Sequence, residues 1–147
     1  MKIEVDQSGK IEFTEKTTVI ADSLGNIVCL SQRSKRAIQK LFRKEHKPQI
    51  FITCTFAAMV ALLISQRHSK TDVFVIDVEY PGKENEIKAF VVMYLNKLGK
   101  KWSPDKITFN YVGKKSKSHE FAYKTYKNLQ GQTKNMVKLV EIFNIIH

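Results

Sequence analysis

The chain has 147 residues, of which 43% are hydrophobic, a size and composition typical of one domain with a buried core. Its 25 Lys and Arg outnumber 14 Asp and Glu, and the resulting net charge of +11 favours a polyanionic partner, with nucleic acid as the first candidate. The longest apolar stretch, residues 50–64, is too short to cross a membrane, and the charged, alternating N-terminus is unlike a secretory signal. We therefore expect a cytoplasmic protein without a membrane partner.

The first third of the chain predicts three strands and a helix. Residues 2–6 alternate between apolar and charged side chains, as a strand does. The β-rich runs 17–22 and 26–31 lie on either side of a short turn that contains glycine, which predicts a hairpin. Residues 33–47 then place apolar side chains at helical spacing, with basic residues on the other face.

The rest of the chain alternates helices and strands. Residues 50–54 are rich in β-branched side chains and predict a further strand, and residues 55–68, apolar nearly all round, predict a buried helix. The run 73–80 is apolar on both faces up to Asp77, as expected of a central parallel strand. The remaining predicted elements are a helix at 84–98, a strand at 106–112, a helix at 116–129 and a final helix at about 135–146.

This order, with hairpins first and crossovers afterwards, predicts one α/β domain over residues 1–147. Its core, about residues 2–128, would hold a mixed sheet with antiparallel N-terminal strands, then parallel strands, and helices on both faces. A doubly wound flavodoxin-like sheet is the main alternative, although no Gly-rich phosphate loop follows the first strand. Cys29 and Cys54 lie in apolar runs and not in a CxxC or Cys/His pattern, which predicts reduced core thiols without a disulfide or zinc site.

Two acidic residues end apolar strands. If a right-handed crossover makes the run 73–80 parallel to residues 2–6, Asp6 and Asp77 emerge together at the carboxyl ends of neighbouring strands, where α/β sheets bind ligands. Two carboxylates in that position repel one another, and Mg²⁺ or Mn²⁺ would relieve the repulsion while also accepting phosphate oxygens. Glu79 follows on the same face by strand alternation and is a further candidate ligand.

The late helix at 116–129 supplies the other candidates. Glu120 lies in its first turn and is the candidate third carboxylate, and His119 beside it is a candidate for moving a proton at neutral pH. Each acidic residue also has a plainer interpretation: Asp6 favours a turn, Asp77 solvates a strand end, and Glu120 stabilises a helix N-terminus.

Basic residues concentrate in the first helix and around the last strand and the helix that follows it. In the second region they alternate with aromatic residues such as Tyr111 and Tyr123, a mixture typical of backbone contact combined with base stacking. The basic residues of the first helix that are predicted to face solvent are Arg33, Lys35, Arg36, Lys40, Arg43, Lys44 and Lys47. The residues predicted to contact nucleic acid are Arg36, Arg43, Lys100, Lys101, Lys114, Lys115, Lys117 and Lys124.

The hairpin-first order, the opening VDQSG and the acidic ends of two strands together resemble the ribonuclease H-like superfamily, which includes integrases and junction resolvases. The resemblance covers about residues 2–128 by element order. It implies a three-layer fold and a two-metal nuclease or strand-transfer site built from Asp6, Asp77 and Glu120. One departure is that the helix at 33–47 carries no acidic residue before Glu45.

We therefore expect a metal-dependent nuclease or resolvase that acts on nucleic-acid phosphodiesters. A non-catalytic nucleic-acid-binding module of the same fold is the alternative. A third possibility is an interaction protein that forms a homodimer through its C-terminal helix, with a seam of Met136, Leu139, Val140 and Phe143.

Overall fold

A five-stranded mixed sheet organises the chain, which the computed structural model describes over residues 1–67 and 71–147. The strands are β1 (Lys2–Ser8), β2 (Thr18–Asp22), β3 (Ile27–Leu30), β4 (Val73–Asp77) and β5 (Ile107–Asn110). The α-helices are α1 (Gln32–Lys44), α2 (Phe51–Ser65), α3 (Glu84–Lys97), α4 (Lys117–Lys127) and α5 (Leu139–Ile146).

The strand order is β3-β2-β1-β4-β5. β2 pairs antiparallel with both β1 and β3, whereas β4 lies parallel to β1 and to β5. This confirms the predicted α/β class and the mixed sheet. The antiparallel β1–β2 pair rules out the doubly wound parallel sheet.

The two faces of the sheet are covered by different helices. Ile3 and Val5 of β1 belong to the main core together with residues of α2 and α3. On the opposite face, Val19 and Ala21 of β2 pack with Ala122 of α4. Because paired residues point to the same side of a sheet, Asp6, which pairs with Ala21, lies on the α4 face. The acidic end of β1 therefore faces α4, which packs on β1 and β2 from this side of the sheet.

The predicted strand at 50–54 is wrong. A 3₁₀ turn at Pro48–Ile50 leads directly into α2, which is buried on nearly all sides between the sheet, α3 and α5. A short apolar run has no periodicity that distinguishes a strand from a buried helix, and here the run continues for the length of a helix. His68, at the end of the predicted helix 55–68, lies outside the described residues.

Two predicted boundaries also shift. β4 ends at Asp77 and not at residue 80, although the amide of Val78 still donates to the carbonyl of Asn110 at 3.1 Å. The last helix begins at Leu139 and not near 135, because Met136 forms a parallel bridge with Cys29 and the amide of Val137 donates to the Cys29 carbonyl. The backbone before α5 thus extends the β3 edge of the sheet.

The two cysteines, the long apolar segment and most of the last helix are apolar because they contribute to the core. Cys29 and Cys54 are buried free thiols, as predicted. The prediction that residues 50–64 are too short to cross a membrane does not hold for the segment that contains them, because Pro48–Ser65 is long and apolar enough to span one. However, 67% of this segment is buried inside the protein, which is consistent with a core helix of a soluble protein. In α5, Ile142 and Ile145 are buried. Leu139 and Phe143 of the predicted dimer seam also pack on the core, whereas Val140 is 60% exposed; the homodimer stays a prediction.

The loop between β1 and β2 is held by a buried lysine. Lys35 of α1 was predicted to face solvent, but it is fully buried and its Nζ donates to the carbonyls of Lys10 and Phe13 and to Oγ1 of Thr18, at 3.1, 2.8 and 2.9 Å. Gly9 begins this loop at φ +78°, where a Cβ would lie 2.7 Å from the Tyr126 ring. The chain leaving β1 is therefore fixed from both sides of the sheet.

Candidate functional site

Three carboxylates meet at the carboxyl ends of β1 and β4. One oxygen from each of Asp6, Asp77 and Glu79 lies within 4.8 Å of the others, and we call this group the acidic cluster. The parallel pairing of β1 with β4 matches Val5 to Ile76, so the two aspartates follow on adjacent strands. Asp6 is buried, while Asp77 and Glu79 are half-buried. The predicted meeting of Asp6 and Asp77 is thus observed, together with Glu79.

The acidic cluster lies in a cleft of about 280 Å³ that opens beside α4. Tyr111 and Lys114, from the segment that follows β5, line the cleft, as does His119 of α4. The amide of Val112 donates to Oδ1 of Asp77 at 2.7 Å, which ties this segment to the end of β4. An exposed aromatic ring and an exposed ammonium group are thereby held next to the carboxylates.

The start of α4 is attached to β1 by two contacts on the same face. Ser116 caps the helix by accepting from the amide of Ser118, and its hydroxyl donates to Oε1 of Glu4 at 3.1 Å. Nδ1 of His119 lies 2.9 Å from Oδ2 of Asp6. Since this contact engages one ring nitrogen, His119 can present the other, Nε2, to the cleft. A carboxylate that fixes the histidine ring in this way also orients its free nitrogen.

A tyrosine holds the ends of the two strands together. The hydroxyl of Tyr80 accepts from the side-chain amide of Gln7 and from the amide of Ile11, both at 3.2 Å, and donates to Oε1 of Glu12 at 3.2 Å. Gln7 and Tyr80 directly follow Asp6 and Glu79 in the chain. Sequence reasoning missed this contact because the partners are 73 residues apart and nothing distinguishes Tyr80 from other aromatic residues at strand ends.

Burial and mutual proximity make the three carboxylates costly to ionise together. Burial, followed by hydrogen bonds with Asp77 and Asp6, raises the pKa of Glu79 to about 8. Burial also raises the pKa of Asp6, and the charge of Asp77 adds to the effect. Within residues 1–67 and 71–147, no Lys or Arg nitrogen lies within 4.0 Å of the three carboxylates. A cation would relieve both the repulsion and the burial penalty.

No family model, curated protein or solved structure matches this chain. The acidic cluster offers only carboxylate oxygens as ligands. Such a set suits hard cations such as Mg²⁺ and Mn²⁺ better than it suits zinc, which favours nitrogen and sulfur ligands. The acidic cluster thus has the composition of a divalent-cation site.

Glu120 lies outside the acidic cluster. Its side chain is 56% exposed, and Oε1 accepts from Nζ of Lys124 at 2.7 Å on the outer side of α4. The buried face of this helix is formed by Ser118, Ala122 and Thr125. His119 flanks that face, whereas Glu120 is rotated a further 100° around the helix. The structure therefore brings Asp6, Asp77, Glu79 and His119 together without Glu120.

The predicted nucleic-acid contacts are distributed over several parts of the surface. Lys114 lines the cleft, Lys115 and Lys117 are exposed beside it near the start of α4, and Lys124 pairs with Glu120. Lys101 and its neighbour Lys100 precede β5, next to Trp102, which packs on Phe74 near the amino end of β4. Lys100 and Lys101 therefore lie near the amino ends of the parallel strands, whereas the acidic cluster lies at their carboxyl ends. Arg36 and Arg43 are exposed on α1.

The raised pKa of Glu79 predicts a stability that depends on pH. Because its folded-state value of about 8 exceeds the ordinary 4.5, the metal-free folded protein keeps a proton that the unfolded chain releases. The free energy of unfolding is expected to fall by roughly 1 to 3 kcal/mol between about pH 5 and pH 8 through this group. Urea unfolding in EDTA should show this loss in the wild type, and Glu79→Gln should remove that part of it. Equal pH slopes in the two proteins would contradict the assignment.

Proposed function

We propose that this chain is a divalent-metal-dependent nuclease that hydrolyses nucleic-acid phosphodiesters in the cleft beside α4. The observation that carries the proposal is the convergence of Asp6, Asp77 and Glu79 within 4.8 Å of one another, with no lysine or arginine neutralising them in the described part of the chain. Mg²⁺ or Mn²⁺ is the cofactor that such a donor set favours.

The three carboxylates would hold the metal. When bound, a divalent cation polarises the phosphoryl oxygen and makes a coordinated water a stronger nucleophile at neutral pH. Asp6 is the most deeply buried of the three ligands, and its position is fixed because Oδ1 accepts from the amide of Gln7 at 2.8 Å. Asp77 is fixed in the same way by the amide of Val112. These contacts keep the ligands in place before a cation arrives.

His119 would move the proton. With Nδ1–H directed at Asp6, Nε2 accepts a proton from the attacking water while the new bond between that oxygen and phosphorus forms. The bond from phosphorus to the leaving oxygen breaks, and solvent protonates that oxygen. Lys114, which lines the same cleft and is exposed, would contact a non-bridging phosphate oxygen.

Charge supports nucleic acid as the substrate. The net charge is +11, and the lysines beside the acidic cluster, Lys114, Lys115 and Lys117, follow one another over a short segment at the start of α4. Such an arrangement attracts a phosphate backbone by releasing its counterions, independently of base sequence. The buried free thiols favour a reducing compartment, so we place this activity in the cytoplasm.

The ribonuclease H-like resemblance is part of the proposal. It is supported by the element order, in which antiparallel N-terminal strands precede parallel ones, and by Asp6 and Asp77 at the ends of adjacent strands. The proposed ligand set differs from the one that the resemblance implies, because Glu79 takes the position expected for Glu120.

The proposal is tested by incubating the full chain with labelled single-stranded, duplex, hybrid and branched substrates in EDTA, Ca²⁺, Mg²⁺ and Mn²⁺. We expect cleavage in Mg²⁺ or Mn²⁺ but none in EDTA. The melting temperature should also rise with metal concentration, because a cation that binds only the folded state stabilises it by mass action. Absence of cleavage on all four substrates would overturn the nuclease and leave the non-catalytic binding module.

A further inference from the structure

On the side of the sheet that bears the cleft, the edge strand β5 is exposed among the described residues. α4 packs on β1 and β2, while on β5 the side chains of Thr108 and Asn110 are exposed. Thr108 pairs with Val75, and Asn110 pairs with Asp77 of the acidic cluster, so both point to the α4 side of the sheet. An exposed strip of β5 therefore adjoins the acidic cluster.

Two exposed tyrosines lie near the cleft. Tyr111 lines the cleft and is 77% exposed, and Tyr123 on α4 is 50% exposed. The Tyr123 ring is nearly parallel to that of His119, with centroids 6.4 Å apart and an angle of 13°. Nζ of Lys127 lies 5.4 Å from the centre of the Tyr123 ring. Neither tyrosine contributes to the buried core, so the exposed part of each ring can contact a ligand.

His119, Tyr123 and Lys127 form a stripe along α4 that begins at the acidic cluster. They are spaced four residues apart and therefore share one side of the helix. The stripe is about 12 Å long, the length of roughly three stacked nucleotides at about 3.4 Å each. It combines aromatic rings with a cation, as do the surfaces of proteins that bind single-stranded nucleic acid.

We infer that the cleft takes a single-stranded polynucleotide whose bases stack on Tyr111 and Tyr123, while Lys114 and Lys127 contact its phosphates. The inference rests on the proposed function for the position of the scissile phosphate at the acidic cluster. Stacking on a tyrosine requires an unpaired base with a free ring face, which a duplex does not offer along its length. The adjacent lysines complement the charge of the phosphate backbone.

Binding is measured by fluorescence anisotropy in EDTA, which separates it from metal-dependent cleavage. The probes are a labelled DNA oligonucleotide, the RNA of the same sequence, and the duplex of each with its complement. We expect both single strands to bind the full chain at least about tenfold more tightly than the duplexes. Tyr111→Leu should weaken single-strand binding about 5- to 100-fold, the range for loss of one stacked base, and Tyr111→Phe should not.

Phe13→Leu is the matched control. Phe13 is an aromatic residue that is 47% exposed on the loop between β1 and β2, and it is not among the described residues that line the cleft. Its replacement should leave single-strand affinity within twofold of the wild type. Tyr123→Leu tests the stripe on α4 separately and should weaken binding in the same range as Tyr111→Leu.

The outcomes separate this inference from the proposed function. If duplexes bind as tightly as single strands, or if Tyr111→Leu and Tyr123→Leu bind like the wild type, the stacking inference is overturned even where Mg²⁺-dependent cleavage is present. If single-strand binding depends on both tyrosines but no metal supports cleavage, the inference holds and the nuclease is lost. Tighter binding of either the DNA strand or the RNA strand supports the inference equally, and it shows whether the cleft prefers deoxyribose or ribose.

Discussion

Asp77→Asn is expected to lower Mg²⁺-dependent cleavage by at least about 100-fold while leaving the fold intact. Asparagine keeps an oxygen that can accept from the amide of Val112, so the contact that fixes the end of β4 remains. It removes one negative charge from the acidic cluster. Loss of a charge on a direct ligand should weaken metal binding by more than the 10- to 100-fold that is typical when a residue hydrogen-bonded to a metal ligand is replaced. The initial cleavage rate at several Mg²⁺ concentrations measures the effect.

The same substitution should make the metal-free protein more stable. Asp77 repels the carboxylate of Asp6, and its charge adds to the effect of burial, which raises the pKa of both Asp6 and Glu79. A neutral side chain at this position relieves that repulsion. Urea unfolding in EDTA should therefore show a midpoint at or above that of the wild type. Loss of activity accompanied by a clear loss of stability would instead point to a structural role for Asp77.

Glu120→Gln is the matched control, because it makes the same change of charge on an exposed side chain that pairs with Lys124. The structure predicts activity within about twofold of the wild type, since exposed ion pairs contribute little. If Glu120→Gln abolishes cleavage and Asp77→Asn does not, the ligand set proposed from the geometry is wrong.

Lys35→Met is expected to lower the free energy of unfolding by about 3 kcal/mol. Methionine fills much of the same volume but leaves the carbonyls of Lys10 and Phe13 without the ammonium group that donates to them. Hydrogen bonds to charged groups contribute roughly 1.5 to 3 kcal/mol each, and part of this is offset because the buried charge no longer has to be desolvated. That burial lowers the pKa of Lys35 to about 8. Urea unfolding at neutral pH measures the loss.

Lys40→Met provides the comparison on the same helix, because Lys40 is exposed on α1. Its free energy of unfolding should stay within about 0.5 kcal/mol of the wild type, as is usual for surface substitutions. If both variants unfold at the same urea concentration as the wild type, the loop after β1 is not held by Lys35. A loss in Lys35→Met alone would show that the loop next to Asp6 depends on this buried contact.

Much of the sheet could be predicted from local pattern. The alternation of Ile3 and Val5 marks β1 as a strand with one face in the core, and the glycine turn before β3 marks a hairpin. The meeting of Asp6 with Asp77 follows from a general rule of parallel sheets, because neighbouring parallel strands end at the same edge. These features depend on residues that are close in the chain, or on the right-handed crossover that parallel strands almost always adopt.

The sequence by itself therefore determined the α/β class, the mixed sheet and the two aspartates at its edge. Only the tertiary structure decided that residues 50–54 belong to helix α2, that Lys35 is buried, and that Tyr80 joins the two strand ends. It also decided that His119 faces Asp6 while Glu120 faces solvent. Each of these outcomes depends on which distant part of the chain packs against a given side chain. On a helix, two adjacent residues differ in direction by about 100°, so neighbouring side chains meet different partners.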